Sequence, residues 1–315
     1  MMRELLEGAK NMELLSDSQL LELLNDIESD TSERKRSFKG DTPDTTRQAI
    51  CAFANDLPYD LYPVTSATIA DLSQVLFEVE YLPRAFAPDI LAENNRSYAE
   101  RLASCGMILS PDDTTPTIHG LLAIGKEPQK HIPGAYIQFL RLDGIRLADE
   151  VIDEATIGGS ILKMMERLDN KLIGHNRRAF DITSGPTHKI TETYPISAIQ
   201  QIVYNAVMHR SYERTNAPVH VYWYDDRIEI ISPGGLYGNV TFEKLGKPGV
   251  VDYRNPNLAA TMKVFDIVQR FGRGITIARD AMERNGNPEP EFHADQSLVT
   301  CILKAKPNGG NTSAN

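Results

Sequence analysis

The stretch ISAIQQIVYNAVMHR, residues 196–210, constrains what this chain can fold into more than any other. Ile199, Ile202, Val203, Ala206 and Val207 recur at helical spacing and supply a face to bury. Gln201, Asn205 and His209 stand at i, i+4 and i+8, so one side of the same helix carries two amides and an imidazole. An amide beside a buried face is costly without partners. Two readings satisfy it. Asn205 caps backbone within the fold, with His209 at a surface helix end. Alternatively, Asn205 offers its carbonyl oxygen to a Mg²⁺ ion already held by phosphates, since magnesium prefers oxygen ligands and few protein contacts.

The residues downstream bear on that choice. Val219 to Tyr224 and Arg227 to Ile231 read as two strands joined by a tight turn at Asp225-Asp226. The second runs into IEIISPGGL, residues 228–236, where Gly234 and Gly235 permit close approach of backbone to a ligand. A loop rich in glycine and proline spans Ser232 to Asn257 and contains Arg254-Asn255-Pro256-Asn257. A helix is expected over Leu258 to Val268. FGRGI, residues 271–275, then puts Gly272 and Gly274 before another helix reaching Asn285. A glycine-flanked helix N-terminus presents free N–H groups and the positive end of its dipole to an anion. Leu298 to Leu303 closes the region as a strand. Helices and strands mixed in this order predict an α+β fold.

The chain has 315 residues, enough for two domains and a connector. Residues 1–30 read as helix, Glu33 to Phe38 as a short extended stretch, and Ile50, Cys51, Phe53 and Ala54 lie on a second helix ending at Asn55-Asp56. Leu57 to Val64 is a connector rich in proline and tyrosine. Two helices and one strand are too little to bury a core. Residues 66–104 read as two helical pieces broken by Pro83 and Pro88. Thr117 to Gly125 is a buried helix or strand, and Ala135 to Leu142 alternates as a strand, giving a wing-like order. Ile161, Leu162, Met165, Leu168 and Leu172 mark an amphipathic helix over 157–178, and 189–193 a further strand. The expected divisions are 1–64, 65–180, 181–306 and a polar, disordered tail at 307–315.

A net charge of −10 argues against coating nucleic acid by bulk charge. Any such contact must be local. Arg34, Lys35, Arg36 and Lys39 form the candidate patch, which otherwise is a solvated basic turn. No window approaches the roughly 18 apolar residues of a membrane span, and no stretch reads as a secretory signal, so a cytoplasmic location and no membrane partner are expected. Cys51, Cys105 and Cys301 are scattered and odd in number, which fits free thiols in a reducing compartment.

Taken together, residues 194–293 resemble the ATP-binding domain of the GHKL superfamily, and more narrowly the variant that follows a Schlafen/AlbA-like DNA-binding domain in bacterial regulator-like proteins. NAVMHRSY is similar to that family's NAxxHRxY signature, and IEIISPGGL, RNPNLA and FGRGI are similar to its later boxes in the right order. LLAIGKEPQKHIPGAYIQFLR, residues 121–141, resembles the connector between the two domains. ERKRSFKG and AICAFAND, residues 33–40 and 49–56, resemble the start of the AlbA-like domain. The resemblance implies a two-layer α/β sandwich at the C-terminal end, a mostly helical connector and a truncated AlbA-like unit. It implies ATP and Mg²⁺ as cofactors, with Asn205 as the metal ligand and Gln201, Gly234, Gly235, Arg254, Asn255, Gly272 and Gly274 around the nucleotide. DNA or RNA and a second copy of the chain are the implied partners.

Three departures qualify this. The glutamate that polarises water in these ATPases stands four residues before the asparagine; here that position is Gln201, and a neutral amide is no general base. The aspartate that reads adenine is replaced at Ser232-Pro233. The strands that follow the AFAND helix in AlbA-like domains are missing, because Leu57-Pro58-Tyr59-Asp60 arrives almost at once. The expectation is a DNA-associated regulator that binds ATP and turns it over slowly. Two alternatives stand beside it. In one, Glu28, Glu33 and Lys35 serve a Schlafen-like metal-dependent RNase, which needs clustered carboxylates. In the other, the domain is an interaction scaffold that binds no nucleotide.

Overall fold

Alternation of buried and half-buried residues along Ile137–Asp143 (β1) and Val219–Trp223 (β5) sets the centre of the architecture. The computed structural model describes residues 58–306, apart from 94, 177, 182–188, 214, 248 and 269–271. The chain divides into two units, Met1–Leu57 and Pro58–Asn315, and the described residues belong to the second.

β1 and β5 pair in parallel. Glu150–Ile157 (β2) adds antiparallel to β1. Arg227–Pro233 (β6), Leu298–Lys304 (β8) and Glu291–Ala294 (β7) continue the sheet antiparallel from β5. The result is a six-stranded mixed sheet of order β2-β1-β5-β6-β8-β7. Arg178–Asp181 (β3) and Lys189–Glu192 (β4) form a separate two-stranded hairpin. The turn at Asp225-Asp226 closes as expected, with Tyr224 N–H donating to the Arg227 carbonyl at 2.8 Å.

Four short helices precede the sheet: Leu82–Ala85 (α1), Pro88–Ala92 (α2), Tyr98–Ser104 (α3) and Ile118–Ile124 (α4). Ile161–His175 (α5), Ile196–His209 (α6), Pro256–Val264 (α7) and Gly274–Asn285 (α8) come after them. Ile137, Phe139, Val221, Ile228 and Ile230 of the sheet are buried, as are Leu168 and Leu172 of α5, Ile199 and Val203 of α6, and Met282 of α8. The opposite residues of the strands, Gln138, His220, Tyr222, Glu229 and Ile231, are only half-buried. The sheet therefore has one helix-covered face, in the two-layer manner expected.

Several expectations need correction. The strand expected as part of a wing is β1, an inner strand of the main sheet, so the sheet crosses the boundary expected at residue 180. Residues 58–64 pack within the second unit: Asp60 is fully buried and its carboxylate accepts from the N–H groups of Asn257 and Leu258 at 2.8 and 2.9 Å. Pro83 does not break its helix. A π-helical stretch, Leu76–Tyr81, widens the turn before it and relieves the clash a proline ring makes with the preceding turn. Pro88 begins α2 rather than ending a helix. The helix expected to reach Val268 stops at Val264, since Asp266 takes φ 56° and cannot continue it. β2 and β7 were not anticipated. Among the described residues, no helix is long and apolar enough to cross a membrane.

Candidate functional site

Helix α6 forms the floor of the site. Its apolar face is fixed by burial of Ala198, Ile199, Ile202, Val203 and Val207, which leaves Gln201, Asn205 and His209 half-buried along its other edge. Helix α8 lies against that edge. A Cβ placed on Gly274, the first residue of α8, would stand 2.6 Å from Asn205 Nδ2 and 3.0 Å from Gln201 Oε1. The absence of a side chain on Gly274 leaves room for the two amide groups against the start of α8. No side chain caps α8 at Arg273, so its leading N–H groups meet no capping side chain beside the two amides.

A cavity opens above this meeting point. Its volume is about 160 Å³, and it is open to solvent on one side. Gln201, Asn205, Gly234, Gly235, Gly272 and Gly274 all line it. Gly234, at φ 97°, donates its N–H to the Ser297 carbonyl at 2.6 Å. A Cβ on Gly235 would collide with the Asp295 carbonyl. The glycine pair thus lets the turn between β7 and β8 close against the end of β6. Gly272, at φ 65°, lies under Val251 of the long loop.

Two expected residues stand elsewhere. Arg254 does not line the cavity. Its guanidinium donates to the Gly235 carbonyl at 3.0 Å and lies 4.9 Å from the Tyr237 ring centroid. Asn255 is 1% exposed and donates to the carbonyls of Met208 and Arg210 at 2.9 and 2.8 Å. Its amide N–H groups thus satisfy carbonyls at the end of α6. Ser232, at the position of the missing aspartate, donates its hydroxyl proton to the Ala206 carbonyl at 2.8 Å. Its oxygen keeps acceptor lone pairs on the cavity wall.

Other cavity residues escaped sequence reasoning. Tyr253 stacks on His209, with ring centroids 5.7 Å apart and planes 6° from parallel. Burial, then the charge of Arg254, pushes the His209 imidazole down to about 4, so it is neutral near pH 7. Lys263 and Asp252 also line the cavity, and the Lys263 ammonium sits 4.6 Å from the Tyr253 centroid. Cys301 forms part of the wall as a free thiol, raised by burial out of the range of a reactive thiolate. Among the described residues no cluster of three histidine, cysteine or acidic side chains is placed to hold a metal. Glu28, Glu33, Lys35, Arg34, Arg36 and Lys39 lie outside the described residues.

Residues 216–303 match the family described as "Putative ATP-dependent DNA helicase recG C-terminal". That span takes in β5 to β8 and the glycine turns but not α6. The DIP2311 protein from Corynebacterium diphtheriae, a solved structure, superposes with a TM-score of 0.59 at 21% identity, over 79% of this chain. The chain spans 48% of that protein's length. The likeness establishes a shared fold. No curated protein matches the chain.

Proposed function

We propose that the cavity binds magnesium adenosine triphosphate and hydrolyses it slowly, so that the nucleotide acts as a conformational ligand. The observation that carries this reading is the meeting, inside an open cavity, of the Gln201 and Asn205 amides with the uncapped, glycine-led N-terminus of α8. The match of residues 216–303 supports it. Asn205 fits a magnesium ion in the manner that ion requires, one protein oxygen with the remainder from phosphate and water. The metal would neutralise charge between the phosphates. Gln201 stands where a general base would act and cannot accept a proton there, which leaves attacking water unactivated.

In this reading Ser232 replaces a carboxylate as hydrogen-bond acceptor for the base. Nucleotide contacts hold the loop from Gly234 to Arg254 over the cavity, and two copies of the chain associate through the ordered loop. Nucleic-acid association through Arg34, Lys35, Arg36 and Lys39 completes the reading as a regulator. It draws on the helicase named in the family description and on the local basic run.

Calorimetry of the full chain with Mg·ATP tests the core of this proposal. Binding is expected, weakened about tenfold or more by Asn205→Ala through loss of the metal-ligand oxygen. Absence of heat at millimolar nucleotide overturns it. Sedimentation with and without Mg·ATP tests the dimer, and salt-dependent retention of duplex DNA tests the nucleic-acid contact.

A further inference from the structure

Among the described residues that line the cavity, Lys263 is the one that carries a positive charge. The nearby arginines do not line it: Arg254 donates to the Gly235 carbonyl and lies on the Tyr237 ring, Arg279 pairs with Glu289 at 2.9 Å, and Arg273, between Gly272 and Gly274, is exposed. Lys263 is half-buried, and no described carboxylate pairs with it. Its ammonium rests on the face of Tyr253, and Tyr253 in turn stacks on His209. A partly desolvated ammonium held only by an aromatic face retains donors for an anion.

Its place along α6 is informative. Gly274 touches Gln201 and Asn205, whereas the Lys263–Tyr253 stack meets α6 at His209. Asn205 and His209 are four residues apart, about 6 Å along a helix, a span that a polyphosphate chain bridges. The two ends of that span differ in kind. One offers neutral amides and backbone N–H groups, the other a full charge.

We infer that Lys263 is the cationic partner of the ligand's phosphate chain in this cavity, the role that the family resemblance implied for Arg254. The inference rests on the nucleotide reading above and adds to it the source of the positive charge. Because the ammonium sits on a ring face rather than in an ion pair, an arriving phosphate does not have to displace a carboxylate. Lys263 therefore distinguishes ligands by phosphate content and contributes nothing to a bare nucleoside.

The test compares wild type, Lys263→Met and Lys263→Arg by calorimetry with Mg·ATP, adenosine and inorganic tripolyphosphate. Thermal melting without ligand checks that each variant is folded. Lys263→Met is expected to weaken Mg·ATP and tripolyphosphate about tenfold or more, to leave adenosine unchanged, and to be largely rescued by Lys263→Arg. Less than a twofold change toward Mg·ATP overturns the inference. So does an equal loss toward ATP and adenosine, which is the mark of a lysine that only supports the Tyr253 stack. If wild type binds tripolyphosphate through Lys263 but binds ATP no more tightly, the nucleotide reading falls and Lys263 stands. If wild type binds neither, both fall.

Discussion

Removal of the Asp60 carboxylate should loosen helix α7, and with it the wall that carries Lys263. Asp60 is fully buried. One of its oxygens accepts from the N–H groups of Asn257 and Leu258 at 2.8 and 2.9 Å, and the other from Asn257 Nδ2 at 3.0 Å. α7 has no cap of its own, since the Asn255 side chain is turned to the end of α6. Asp60 is thus its N-cap, supplied from 197 residues away. In Asp60→Ala the two backbone donors lose their acceptor in a site from which water is excluded. Each buried donor left unpaired costs about 1–3 kcal/mol, and loss of a negative group at a helix N-terminus adds up to about 1–2 kcal/mol. Allowing for relaxation, the total is about 3–5 kcal/mol. Asp60→Asn keeps one acceptor oxygen and should cost about half as much. Urea unfolding monitored by far-UV circular dichroism reads the effect. With a slope of roughly 2–3 kcal/mol/M for a unit of this size, the alanine variant should unfold at a urea concentration about 1–2 M lower. A loss below about 1 kcal/mol, or an asparagine variant as damaged as the alanine one, would refute the capping argument.

Three further outcomes are expected. Gly274→Ala places a methyl 2.6 Å from Asn205 Nδ2. Both neighbours are the ends of amide side chains, so the variant should keep its stability while turning the amides aside and weakening Mg·ATP in calorimetry; unchanged binding would show that the placement of the amides does not matter to the ligand. Gln201→Glu should raise phosphate release above a slow wild type, and wild-type turnover as fast as that of the variant would contradict the reasoning about the missing base. His209 is held neutral down to about 4 against an ordinary value of 6.5. Its contribution is therefore intact above about pH 6.5 and fades as pH falls toward 4, because the unfolded chain takes up the proton first. The drop corresponds to at most about 3 kcal/mol, less to the extent that the half-buried residue meets solvent. The urea midpoint should fall between pH 7 and pH 5 more steeply in wild type than in His209→Gln, and equal falls would exclude the histidine as the source.

How much of this was legible in the sequence depends on whether a residue's partner is near it in the chain. The floor was legible because α6 carries both its apolar period and its amides within one helix. The glycines were legible because their need for a close approach is a backbone property that any fold must meet. β2 was not, because it is an edge strand whose first residues, Glu150, Val151 and Ile152, are all exposed, so no alternation marks it. β7 spans only Glu291–Ala294, too short for a period. Asp60 looked like part of a turn in a connector, since the helix it caps lies near the far end of the chain. The same reason hides which cation faces the cavity. Arg254 stands in a motif and reads as a ligand residue, yet its direction is set by the Gly235 carbonyl and the Tyr237 ring on the opposite limb of the loop. Lys263, in the last turn of α7, reads as an ordinary complement to a helix C-terminus. Only the fold shows that the helix aims this turn at a cavity and that Tyr253 and His209 stand beneath it. Spacing locates the groups that must be held near one another along a single helix, but the sign of the charge presented to a ligand is decided by contacts between loops, where spacing carries no information.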